Sequence, residues 1–158
     1  MKHAIALTTT HFQSLDLTPA QAVIDPTLST NALNNPQLTF SFDIGFSREA
    51  SDPRELSEIP EIRLWFIRLN AKYPWLPLYL DWESGELSRY TAMLVPHQFS
   101  TLDGIRYNPE ALEIFVMDKV FTLDAWLAQK EIDGRSRLKF MTQMLGYELD
   151  DALFSLLR

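Results

Sequence analysis

The segment QLTFSFDIGF, residues 37–46, places Leu38, Phe40, Phe42 and Ile44 on alternate positions. A period of two in large apolar residues describes a strand with one buried face. It is the clearest strand in the chain. HAIAL, His3 to Leu7, has the character of a short, largely buried strand, and Leu78 to Leu80 can supply a third.

Helical signals dominate the rest of the chain. In DLTPAQAVID, Thr18 suits an N-cap, Pro19 the first helical position, and Gln21 completes a capping box. Residues 25–37 hold two prolines and three asparagines and are expected to be loop. Asp52, Pro53 and Glu55 can cap a short helical turn. Pro60 then opens a helix over EIRLWFIRLNAKYP, with Ile62, Trp65, Phe66, Leu69 and Tyr73 on one face. Leu64 and Ile67 fall well away from that face, which implies deep burial or a second contact surface. A strand over Ile62 to Leu69 stays open, because Trp, Phe and Ile also suit strands. Later helices are expected over ELSRYTAML, over PEALEIFVMDKV after Asn108, over LDAWLAQK capped by Thr122, over SRLKFMTQML before Gly146, and over ELDDALFSLL. Strands early and helices late predict an α+β fold: one compact domain over residues 1–158, a small, mostly N-terminal sheet packed by a helix-rich C-terminal half.

The totals narrow the function. At 158 residues and 46% hydrophobic, the chain has material for one domain core. It has no cysteine, which removes disulfides, thiol catalysis and cysteine-ligated clusters. A formal net charge of −7 disfavours nucleic acid and anionic lipid as partners. The apolar run Ala4 to Leu7 is too short for a signal peptide, and no run reaches the length of a membrane span, so no direct membrane insertion is expected. The expectation is a soluble, intracellular protein.

Motifs for chemistry are sparse. The three histidines, His3, His11 and His97, form no close pair, and no metal site is expected. The five glycines are too dispersed for a phosphate-binding nest, so no nucleotide cofactor is expected. His97 in LVPHQF can be a general base or ligand, or a partly buried ring bonded to a backbone carbonyl. Asp81 follows an apolar run beside Trp82. It can be a turn-former, a substrate-binding acid, or a carboxylate held by Arg54, Arg63, Arg68 or Arg89. Arg54, Arg68, Asp81, Arg89 and His97 are thus a candidate polar cluster around an aromatic cleft, the basis of an alternative reading as a small-ligand binder or enzyme. Trp65 and Trp126 have the character of core. Trp75 and Trp82, in YPWLPLYLDW, suit either framework or a surface that grips another protein.

The runs DPRELSEIPEIRLWFIRL, YPWLPLYLDWESGELSRYTAMLVPHQF, NPEALEIFVM and MLGYELDDALF span most of Asp52 to Phe154. Together they resemble the chlororespiratory reduction assembly-factor family of cyanobacteria and chloroplasts. The resemblance implies a non-enzymatic accessory protein for the photosynthetic NAD(P)H dehydrogenase-like complex. It implies transient action on the hydrophilic-arm subunit that carries two iron–sulfur clusters, in the cytoplasm or, for plastid relatives, the stroma. It supplies no catalytic residues. A plastid member would carry a transit extension and none is visible, so a cyanobacterial source is expected. The candidate partner-binding residues are Leu64, Ile67, Trp75 and Trp82.

Overall fold

A computed structural model describes residues 1–157. Strand β1 (Lys2–Thr8) leads into three short helices, α1 (Thr9–Gln13), α2 (Thr18–Ile24) and α3 (Thr30–Leu33), and then into β2 (Thr39–Gly45). The two strands pair in parallel, from Lys2 beside Thr39 to Thr8 beside Gly45. Parallel neighbours need a crossover, and the helices between them provide it. Ile5, Leu7, Phe40 and Phe42 are buried, as the alternation requires.

Three local expectations change here. Thr18 is the first residue of α2, not its cap; Leu17 flanks the helix, and Asp16 Oδ1 accepts from the Thr18 N–H at 2.9 Å. Residues 25–37 are not all loop, since they hold a 3₁₀ turn at Asp25–Thr27 as well as α3. The third strand shrinks to one parallel bridge, Phe40 beside Leu80, closed by the Asp81 N–H donating to the Phe40 carbonyl at 2.9 Å. Leu76–Tyr79 is a 3₁₀ turn instead. Pro77, at its centre, has no N–H for a ladder.

Helix α4 (Pro60–Lys72) begins at Pro60, and the strand alternative for this stretch falls away. Ahead of it lies a 3₁₀ turn, Leu56–Glu58, in which Glu58 Oε2 accepts from the Glu55 N–H at 3.2 Å. Ile62, Trp65, Phe66, Leu69 and Tyr73 are all buried. Trp65 meets Phe66 edge-on at 5.0 Å and Phe12 at 5.4 Å, and Phe42 meets Phe66 at 5.0 Å. Edge-to-face pairs of this kind add to plain area burial, by about 0.5–1.5 kcal/mol each. The polar tips are satisfied: Trp65 Nε1 donates to the Asp16 carbonyl at 2.8 Å, and Tyr79 Oη to that of Leu33 at 3.0 Å. Helix α5 (Glu86–Leu94) comes next and adds Leu87, Tyr90 and Met93 to the buried set.

By their contacts, Met1–Tyr73 with Tyr79–Leu94 form one compact unit, and Pro74–Leu78 with the chain from Val95 onward form another. The second unit opens with an antiparallel hairpin, β3 (His97–Ser100) and β4 (Gly104–Tyr107), which the patterning of the sequence does not announce. Helix α6 (Pro109–Gln129) is one helix of 21 residues where two were expected. Asn108 Oδ1 caps it by accepting from the Ala111 N–H at 3.0 Å, and Thr122 lies in its interior. Helices α7 (Arg135–Met144) and α8 (Asp151–Leu156) complete the unit. Between α6 and α7, a side chain at Gly134 would place its Cβ 2.7 Å from Leu127 Cδ1, so the Leu127 side chain would have to shift to admit one. The fold is α+β, with helix predominant and, among the described residues, two small sheets.

Candidate interaction surfaces

Helix α4 carries apolar residues on two sides. While Ile62, Trp65, Phe66 and Leu69 are sealed inside, Leu64 is 48% exposed and Ile67 46%. Residues three apart on a helix are neighbours, so these two make one small apolar patch. Of the two prospects raised by their spacing, deep burial is excluded.

YPWLPLYLDW resolves differently. Leu76, Leu78 and Leu80 are buried, as is Trp75 at 4% exposure. The Trp75 indole stacks on Trp126, with centroids 5.2 Å apart and planes 13° from parallel. Lys119 Nζ donates to the Pro74 carbonyl at 3.0 Å. Trp75 is therefore framework as the chain stands, which corrects its place among surface candidates. Trp82 is half-buried in a 3₁₀ turn, Trp82–Ser84. Trp126, expected in the core, is also half-buried, with its ring stacked on Trp75.

The expected polar cluster does not assemble around Asp81. Its carboxylate pairs with Lys2 at 3.7 Å, not with an arginine. Each candidate arginine has a nearer claim: Arg54 on Asp52 at 2.8 Å, Arg89 on Glu86 at 3.2 Å, and Arg68 on the Leu15 carbonyl at 3.5 Å. The Arg54 guanidinium holds the Asp52 carboxyl down at about 2. Arg63 reaches the Ser57 carbonyl at 3.5 Å. Asp81 belongs to the first unit and His97 to the second. His97 Nδ1 lies 2.9 Å from the Val95 carbonyl, and its ring meets Phe99 and Tyr107 edge-on. An open cavity of about 440 Å³ lies beside it, lined by Pro96, Gln98, Arg106 and Tyr107 among others, without Asp81. Burial pushes the Tyr107 phenol up to about 12, so it stays protonated and can donate.

Among the described residues, the buried charged side chains are Glu86, Lys119 and Asp124. Glu86 accepts from the Phe42 N–H at 3.2 Å as well as from Arg89, and burial raises its carboxyl above the ordinary value. Lys119 is pushed down to about 8 by burial. Among the described residues, no three His, Asp or Glu side chains are grouped to hold a metal ion, and no helix is long and apolar enough to cross a membrane.

One exposed apolar face was not anticipated from the sequence. On α6, Val116, Val120, Leu123 and Leu127 point inward, yet Ile114 is 71% exposed and Phe121 49%. Like α4, α6 is apolar on two sides. The signal was present in the spacing: Ile114, Met117 and Phe121 recur at three and four residues on the side opposite the core positions.

What these features define is an α+β protein with an aromatic core and apolar residues on the outer faces of its longest helices. Its family is settled by comparison. The model of the chlororespiratory reduction 6 family matches residues 7–156, and the chain belongs to that family. The match extends well ahead of Asp52, where the four runs that carry the resemblance begin. Membership places the protein in the assembly of the NAD(P)H dehydrogenase-like complex. No solved structure matches the chain.

Proposed function

We propose that this protein is a non-enzymatic assembly factor that transiently binds an immature iron–sulfur subunit of the hydrophilic arm of the photosynthetic NAD(P)H dehydrogenase-like complex. It acts in the cytoplasm of a cyanobacterium, or in the stroma in plastid relatives. The observation that carries this reading is family membership over residues 7–156. The residues assigned to the client are Leu64 and Ile67, exposed on α4, with half-buried Trp82 as a third. With no cysteine, the chain has no thiolate to offer a cluster, so its action is on the client's polypeptide: covering apolar surface until the complex buries it. Its net charge of −7 favours encounter with a basic client.

A photo-crosslinking residue at position 64 or 67, introduced in cells, tests this directly. Crosslinked peptides from the iron–sulfur subunit are expected. Their absence, together with normal levels of the complex after deletion of the protein, overturns the proposal.

A further inference from the structure

The outer face of α6 has the layout of a coiled-coil seam. Ile114, Met117 and Phe121 succeed one another at three and four residues; the next seam position in that register is Asp124, which is buried, so the exposed stripe ends at Phe121. From Ile114 to Phe121 the stripe is about 10 Å long at 1.5 Å per residue. Its two most exposed large side chains, Ile114 and Phe121, stand two turns apart. With Ile114 and Phe121 at a positions and Met117 at d, Glu113 takes g and Asp118 takes e. Both of these carboxylates are exposed, and the only basic residue within α6, Lys119, is buried on another side. Over this one heptad the seam is apolar along its centre and carries one carboxylate on each flank.

That charge pattern selects among occupants. A second copy would set carboxylate flanks against carboxylate flanks in either orientation, which is repulsive. An anionic lipid surface meets the same repulsion. A partner helix with an apolar stripe flanked by Lys or Arg satisfies both features at once. We propose that the outer face of α6 is a docking site for a basic amphipathic helix of a partner protein. The proposal deepens the assembly reading, in that such a helix is taken to belong to the client, and rests on it for that identity alone.

The probe is a synthetic peptide of about five helical turns with leucines on one face and lysines flanking them. Its controls are a scrambled peptide of the same composition and a version with glutamates in place of lysines. Titrated into the full-length protein, the lysine peptide is expected to shift amide resonances along α6 and to bind at least tenfold tighter than the scrambled one. The double variant Ile114→Ser/Phe121→Ser should weaken it at least tenfold. Glu113→Lys/Asp118→Lys should weaken it by a similar factor and take up the glutamate peptide instead; this pair decides the matter if the serine variant fails to fold. Equal affinity of the scrambled peptide, unchanged binding by the charge-reversed variant, or a concentration-dependent dimer of the wild type that Phe121→Ser abolishes would each overturn the proposal. Crosslinks from positions 64 and 67 to the iron–sulfur subunit would survive any of those outcomes, so this site and the assembly reading fail separately.

Discussion

Lys119 is an amine almost sealed within the second unit, at 1% exposure. Its Nζ donates to the Pro74 carbonyl, and its ammonium lies 5.6 Å from the centre of the Phe115 ring. Burial lowers its pKa to about 8 from an ordinary 10.5, against a smaller opposing pull from Asp118. Between those values the unfolded chain holds a proton that the folded chain has released. Stability contributed at this site therefore rises with pH across that window, and the penalty for the buried charge is full below it. Tyr73, Tyr90 and Tyr107 have raised pKa values and act in the opposite sense above pH 10, so the clean interval is pH 8 to 10. Urea unfolding of wild type and Lys119→Met over that interval isolates the lysine, since the tyrosines are common to both. The wild type should gain on the variant by up to about 1.4 kcal/mol per pH unit. Equal pH slopes would mean that the ammonium is not buried in the folded protein. Nothing in the run VMDKV signals such a lysine. A carbonyl 45 residues earlier in the chain makes the site, and sequence spacing does not report contacts of that range.

At the scale of elements, what was legible had a local cause. Alternation in residues 38–44 is a backbone property of one segment, so β2 is plain; so is α4, where Pro60 and a single apolar face agree. Elements defined by distant partners were not plain. Leu80 becomes a bridge only because Phe40 is beside it, and the β3–β4 strands are four residues each with none of them buried, too short for their alternation to stand out. Helix α6 shows a third case, in which a good capping residue sits where no cap is needed. Thr122 resembles an N-cap, but the segment before it is apolar and without a breaker, so the helix runs through. The true cap is Asn108, bonded to the Ala111 N–H. The two roles separate by mutation. Asn108→Ala should cost about 1 kcal/mol, the usual loss for a broken cap. Thr122→Ala should change stability by no more than about 0.5 kcal/mol, because alanine is the better helix former in an interior position. A cost for Thr122→Ala as large as that for Asn108→Ala, measured by chemical denaturation, would show that α6 is broken at Thr122 in solution.

For the molecule as a whole, the division between framework and working surface is set by which apolar residues the fold has no use for. The aromatic content that drew attention to YPWLPLYLDW is mostly consumed inside: Trp75 stacks on Trp126, and the three leucines are buried. Leu64 and Ile67 are different, because α4 already meets its core with other side chains, Trp65 and Phe66 among them. Removing them takes away little that holds the fold together. Leu64→Ser/Ile67→Ser should therefore leave unfolding within about 0.5 kcal/mol of the wild type for each substitution, the range for surface changes. If these residues bind the client, the same variant should fail in cells: the dehydrogenase-like complex should fall toward the level of a deletion strain while the variant itself accumulates normally. The two measurements must be read together. Loss of the complex alongside loss of the variant would report a folding defect, and would show that the exposed face of α4 contributes to stability after all. Normal complex levels with a stable variant would remove Leu64 and Ile67 from the client surface and leave the outer face of α6 as the place to look for it.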